Sequence, residues 1–333
     1  MRATIKDIAK ITGLSVSTVS RVLSQNPHVS PEAVDIVTTA AKNIGYIPNS
    51  AARSLINKHR GMIGLIVPEM ENPYYNELIW GVEETASQHG FKTVLSCPMG
   101  HTNEEDDSVS KLLELGVDGI IHSGLLADES LNNWMLNGKI PSVLLGRTVQ
   151  DATISYVIHD DWRSGYIGTN HLIKLGHKKI AFIFGKKNSF SSVRKLQGYK
   201  DALLEAGINF DEKLVKDGNL NFEGGMNATK EWLQEEVDFT AIMAGNDMMA
   251  FGAREAVMLA GLRIPEDISL VGIDDVFWSR IQGIELTTIQ VPKYEMGKCC
   301  CEILLRAIND SNSKIEQIVL KGNLIERKSC RPI

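Results

Sequence analysis

The feature that most restricts this chain is a change of rhythm at Met62. From there on, short apolar runs recur as MIGLIVP, KTVLSC, DGIIHSG, IPSVLLG, YVIHDD, KIAFIFG, TAIMAG and ISLVGIDD. Stretches of helical periodicity lie between most of them, over 76–90, 104–115, 163–176, 194–207, 223–236 and 247–261. Strands that alternate with helices need long crossovers and run parallel, with helices covering both faces of the sheet. About ten strand candidates are many for one sheet. The expectation is therefore two lobes with doubly wound parallel sheets. The strand at 155–159 reads as a crossover and TTIQVP at 287–292 as a return. The expected lobes cover about 61–158 plus 289–320 and about 159–288 plus 321–333. Ligands of such sheets bind beyond the carboxyl ends of the strands, in the cleft.

The first sixty residues follow another rule. TIKDIAKITG reads as a helix capped by Thr4 and closed by Gly13. SVSTVSRVLSQ reads as a second helix capped by Ser15, with Val19, Val22 and Leu23 on its apolar side and Ser17, Arg21 and Ser24 opposite. A third opens at Ser30 with Pro31 in its first position, and Val34, Val37, Ala41 and Ile44 give it a core face. Two short helices braced by a third make a helix-turn-helix. A second helix bearing small hydroxyls and one arginine suits a major groove, where hydroxyls reach phosphates and base edges and arginine reads guanine.

Charge agrees with this division. Residues 1–60 hold eight Lys/Arg and three Asp/Glu, a net +5. The rest holds 27 basic and 38 acidic residues, a net −11, so only the first segment is expected to meet a polyanion.

Other classes find little support. No run approaches the ~20 apolar residues of a membrane span, so no membrane is expected. MRATIKDIAK lacks the apolar core of a secretory signal, which makes the cytoplasm the expected compartment. Cys299, Cys300 and Cys301 are adjacent, so on a helix they point about 100° apart and cannot face one ion; no metal and no cofactor are expected. GxGxxG, Walker, GxSxG and HExxH patterns are missing, so no enzyme is expected.

The strand ends carry recognition chemistry. They place Tyr74 and Tyr75, Arg147, Ser189, Ser191 and Arg194, Phe222, Asn246, Asp274, and Trp278 in or near the cleft. Aromatic faces stack on apolar C–H surfaces while polar forks bind hydroxyls, a set suited to a sugar or similar polyol. The basic residues point further, to a sugar acid or sugar phosphate.

Two stretches give a specific resemblance. TIKDIAKITGLSVSTVSRVLSQNPHVSPEA followed by IGYIPNSAARSL resembles the headpiece of the lactose repressor (LacI/GalR) family, including Thr18-Val19-Ser20-Arg21 and Tyr46-Ile47-Pro48-Asn49. GNDMMAFGA resembles a strand–helix junction of the same family's periplasmic-binding-protein-like core. The resemblance implies a headpiece at 1–48, a hinge helix and linker at 49–60 and an effector-binding, dimerising core at 61–333. It implies base contacts by Val16, Ser17 and Arg21, and phosphate contacts by Thr4, Ser15, Thr18, Ser24, His28 and Asn49. Val16 departs from the larger or polar residues usual there. In the hinge, Leu55 would wedge into the central base step, with Ala51 and Ala52 allowing close approach to the twin helix. Many members carry Arg directly before L-x-G-[FY]. Here that residue is Lys195, with Arg194 before it, so either cation could enter the cleft.

The resemblance thus implies a repressor of carbohydrate-related genes, a homodimer on a palindromic operator, controlled by a small effector. The alternatives are a catabolite-control regulator answering a phosphoprotein and a sugar-binding transport receptor.

Overall fold

The computed structural model describes residues 3–24, 28–46, 59–98, 102–123, 140–148, 154–187 and 189–333, with backbone only for 102–106. The chain divides into two compact units, Met1–Arg60 and Gly61–Ile333.

Among its described residues, the first unit has three helices, α1 (Ile5–Thr12), α2 (Val16–Leu23) and α3 (Pro31–Asn43). Each begins on a side-chain cap. Thr4 and Asp7 form a reciprocal capping box, Ser15 accepts from the Thr18 N–H, and Ser30 accepts from the Ala33 N–H. Ile8, Val19 and Val37 are fully buried at the centre. The stripe on α3 differs from expectation at its start. Val34 is 39% exposed and Ala33 packs inward instead. Ala33, Val37, Ala40, Ala41 and Ile44 repeat at helical spacing, which puts Val34 one position off the face.

The second unit contains two six-stranded sheets. The first contains β1 (Met62–Ile66), β2 (Lys92–Ser96), β3 (Gly119–His122), β4 (Ser142–Leu145), β5 (Ser155–His159) and β11 (Gln317–Leu320). Its order is β11-β5-β4-β3-β1-β2, parallel throughout. The second contains β6 (Ile180–Phe184), β7 (Val215–Asp217), β8 (Ala241–Ala244), β9 (Ser269–Asp274), β10 (Thr287–Gln290) and β12 (Asn323–Ile325). Its order is β12-β10-β9-β8-β6-β7, and only β12 runs antiparallel. Both sheets reverse direction beside their first strand, β1 between β2 and β3, β6 between β7 and β8. That reversal opens the crevice in which doubly wound sheets hold ligands.

Among the described residues, the helices of this unit are α4 (Tyr74–Gln88), α5 (Thr102–Leu115), α6 (Asp161–Lys174), α7 (Phe190–Glu205), α8 (Phe222–Gln234), α9 (Asp247–Leu259) and α10 (Lys293–Asn309). The chain passes between the sheets after β5, after β10 and after β11. The return falls later than about 289, because β10 pairs with β9 and β12 through Gln290 and belongs to the second sheet. Helix α10 then packs on α4 and on β3 to β5. The two helices cross closely at Gly81 and Gly297: a Cβ on Gly81 would lie 2.2 Å from the Tyr294 carbonyl oxygen.

Cys300 and Cys301 are buried in α10, and among the described residues no His, Cys, Asp and Glu group is placed to hold a metal ion. No helix among them is long and apolar enough to cross a membrane.

Candidate nucleic-acid interface and ligand cleft

On the first unit, α2 presents Val16, Ser17, Arg21 and Ser24 to solvent. Val16 is 47% exposed, an apolar group on an otherwise polar face. Ser15 Oγ lies 2.7 Å from Ser17 Oγ and 2.8 Å from Thr18 Oγ1, so three hydroxyls cluster where the helix dipole is positive. Thr18 is half-buried, whereas Thr4, Ser15 and His28 are exposed. The Thr4 hydroxyl also donates to Asp7, at 2.7 Å, and this bond holds the Asp7 carboxyl below its ordinary pKa. Asn49, Ala51, Ala52 and Leu55 lie outside the described residues.

In the second unit, a cleft with about 710 Å³ of atom-free space, part of it open to solvent, lies beyond the carboxyl ends of both sheets. Of the residues expected there, it brings together Tyr74, Tyr75, Ser189, Ser191, Asn246 and Asp274. Four others stand elsewhere. Arg147 is buried beside His122, whose imidazole burial and this guanidinium push down to about 3. Arg194 is exposed, while its neighbour Lys195 is buried and lines the cleft. The helical turn of α7 that aims Lys195 inward turns the adjacent position away. Phe222 is half-buried at the start of α8 and does not line the cleft. Trp278 is 41% exposed and packs on Phe251, ring centroids 6.2 Å apart. With both arginines outside, Lys195 is the one Lys or Arg among the described lining residues.

The structure adds Glu69, Asn72, Ser123, His159 and Asp161 to the lining. All follow strand ends, Glu69 and Asn72 after β1, Ser123 after β3, His159 and Asp161 at β5. The same strand-end rule applied to YVIHDD would have found the last two. Asp161 is the hub of a polar cluster. Ser191 donates to it at 2.6 Å, His159 Nδ1 lies at 3.2 Å and Lys195 Nζ at 3.6 Å. Burial pushes its carboxyl up, but Lys195, His159 and Ser191 outweigh that and hold it below the ordinary value.

Asp274 has the opposite environment. It is 4% exposed, and among the described residues no hydrogen bond reaches its carboxyl group. Burial pushes it up to about 7, with the charges of Asp247 and Asp161 in the same direction and those of Lys195 and Lys293 against. Its backbone has φ 129° and that of Asp275 φ 52°, conformations that non-glycine residues adopt at a cost of roughly 1–3 kcal/mol. Tyr74 and Tyr75 meet edge to face, centroids 5.1 Å apart, and burial drives both phenols well above the ordinary value. Asn246 is partly committed: its side chain accepts from Met249 N–H at 2.8 Å and donates to the Leu220 carbonyl at 2.9 Å.

A three-helix unit with an exposed polar recognition helix, joined to two doubly wound lobes around a polar cleft, matches two family models. Residues 4–49 match the bacterial regulatory proteins of the LacI family, and residues 60–328 match the periplasmic binding proteins and sugar binding domain of that family. The chain belongs to the LacI family. It is a DNA-binding transcriptional regulator and not an enzyme. The family headpiece separates it from a transport receptor of the same core fold. The transcriptional regulator CelR of Thermobifida fusca is 32% identical to it over 98% of both chains. A lac repressor dimer bound to operator and the anti-inducer ONPF superposes with a TM-score of 0.89 at 28% identity, covering 99% of this chain and 100% of that one. A CelR–cellobiose complex superposes with a TM-score of 0.76 at 30% identity, covering 98% and 100%.

Proposed function

We propose that this LacI-family protein is a cytoplasmic, homodimeric repressor of carbohydrate-related genes, and that a small polyol held between its lobes changes its affinity for a palindromic operator. The observation that carries this reading is the cleft itself. Side chains from the ends of both sheets converge there, so a ligand that touches Tyr74 and Asp274 together ties one lobe to the other. Likeness to the CelR–cellobiose complex supports a sugar-class ligand.

On the DNA side, Val16, Ser17 and Arg21 read base edges, and Thr4, Ser15, Thr18, Ser24, His28 and Asn49 hold phosphates. Exposure supports the assignment for the described members; Thr18 is half-buried and contributes by its hydroxyl edge. Leu55 wedges the central step with Ala51 and Ala52 beside it, on the strength of the resemblance alone. The effector contacts are Tyr74, Tyr75, Ser189, Ser191, Asn246 and Asp274, joined by Lys195, Asp161 and Glu69. Trp278, with Phe277 and Ile281, which are 65% and 40% exposed, forms an apolar ridge that we assign to contact with the second copy.

Closure of the lobes shifts the surfaces that set hinge-helix pairing, a coupling typically worth ~1–3 kcal/mol whose sign the fold does not fix. The test is a thermal-shift screen of the purified chain against sugars, sugar acids, sugar phosphates and nucleobases, followed by operator binding with each hit. A ligand well above its Kd raises the melting temperature by mass action. A hit that also changes operator affinity is the expected result. No hit, with operator binding that answers a phosphoprotein, would establish the catabolite-control alternative.

A further inference from the structure

The cleft is unevenly charged. Among the described residues, three carboxyl side chains line it, Glu69 beyond β1, Asp161 at the start of α6 and Asp274 at the end of β9, against one lysine, Lys195. That cation is already committed. Its ammonium donates to the Gly245 carbonyl at 3.0 Å and lies 3.6 Å from Asp161. Asp161 is satisfied by this pair together with Ser191 and His159. Among the described residues, the remaining two carboxyls have no cation of the lining within ion-pair distance, although the charge of Lys195 acts on Asp274. Lys293 reaches the backbone carbonyls of Asp274 and Asp275 and approaches Glu77, and Lys186 acts on Glu69 from outside the lining. Arg194 and Arg147 do not line the space.

Asp274 is therefore a buried carboxyl, aimed into a cavity, with no hydrogen-bond donor among the described residues. Two tyrosine rings stand at the same mouth, and aromatic faces attract cations as readily as they stack on sugars. Building on the polyol reading of this site, we propose that the preferred effector is an amino sugar whose ammonium is received by Asp274, with Glu69 as the second negative wall and Tyr74 beside it.

The physics favours the ammonium over both rivals. A phosphate or carboxylate would face Glu69 and Asp274 with only a spent lysine to meet it. A neutral hydroxyl would donate to Asp274 but leave the excess of carboxyls over cations in the described lining unchanged. Burial raises both Asp274 and Glu69 above their ordinary values although Lys195 and Lys293 act against it on the first and Lys186 and Asn72 on the second, and an ammonium within hydrogen-bond reach favours the ionised forms further. Its own desolvation is repaid by a charge-assisted hydrogen bond and a second carboxylate.

The experiment is calorimetric titration of the full chain at neutral pH with matched probes. These are glucose, galactose and mannose, their 2-amino-2-deoxy derivatives and their 6-phosphates, and cellobiose with the glucosamine disaccharide of the same linkage. The expected result is one amino member binding at least about tenfold tighter than its neutral parent. Asp274→Asn is expected to bring that ratio close to one, and Glu69→Gln to lower it in part. The second variant sits at the less buried mouth and covers the case in which the first does not fold. A neutral parent binding as tightly as its amine, or a 6-phosphate binding tightest, would overturn the proposal and leave the polyol reading standing. Binding by no member would overturn both.

Discussion

Lys293, the first residue of α10, places its ammonium 2.5 Å from the backbone carbonyl of Asp274 and 3.3 Å from that of Asp275. The lysine is 1% exposed. It belongs to a helix that packs on the first sheet, and the carbonyls belong to the end of the second, in two residues of positive φ. The same ammonium lies 3.6 Å from Glu77 on α4, the helix that carries Tyr74 and Tyr75. One buried side chain thus links both lobes directly behind the ligand carboxyl.

Replacing it should be felt twice. Lys293→Met leaves two buried carbonyls without their donor, and a loss of about 1–3 kcal/mol in stability is expected from urea unfolding. It also removes a charge that favours ionised Asp274. The carboxyl titration of Asp274, followed by carbon NMR, is expected to move to higher pH. An unmoved titration would mean that the lysine supports the turn without acting on the carboxyl.

The buried acids set a pH dependence. Burial carries Asp274 from 3.8 to about 7 and Asp247 from 3.8 to about 6; Asp247 does so although Ser279, Thr288 and the Val276 N–H all donate to it. In that interval the folded core holds protons that the unfolded chain releases. The stability these groups contribute is complete below 3.8 and is lost as pH rises through about 6 and about 7. The urea midpoint should therefore fall between roughly pH 4 and pH 7, and fall less in Asp274→Asn. An equal fall in both proteins would place the dependence elsewhere.

On the headpiece, Arg21→Ala should weaken operator binding by about 1–3 kcal/mol while changing nonspecific binding much less, as loss of a base contact does. Leu55→Ala should likewise reduce the specific component more than the nonspecific one, because only a bent operator uses the wedge. Gel-shift titrations on operator and scrambled DNA at fixed salt check both. Equal losses on the two DNAs would reassign either residue to the backbone.

Trp278 offers a test of the apolar ridge. If it faces the second copy, Trp278→Ala should weaken self-association by about 2 kcal/mol, the scale of a central aromatic anchor, and leave ligand affinity unchanged. Sedimentation and calorimetry separate the two. Loss of ligand binding with an intact dimer would return this residue to the cleft.

Much of the molecule was legible in its sequence because the signals are local. Ser15, Ser30 and Thr4 cap helices through bonds to residues three positions on. The strands β1 to β6 and β8 to β10 are marked by apolar runs that only a doubly covered sheet needs. The strands that escaped notice, β7, β11 and β12, lie at sheet edges, mix exposed and half-buried positions and carry no such run.

What the sequence determined by itself was the class of the protein: a basic helical headpiece, an acidic strand–helix core, and a cleft at the strand ends. Periodicity, capping and charge act over a few residues and do not depend on the rest of the fold. Tertiary structure alone decided which cation enters that cleft. Arg194 and Lys195 are adjacent and equally basic, but one turn of α7 points the first to solvent and buries the second between Gly245 and Asp161. It also sent Trp278 outward and left the Asp274 carboxyl without a hydrogen-bond donor among the described residues. Those outcomes depend on distances between elements far apart in sequence, and no local pattern encodes them.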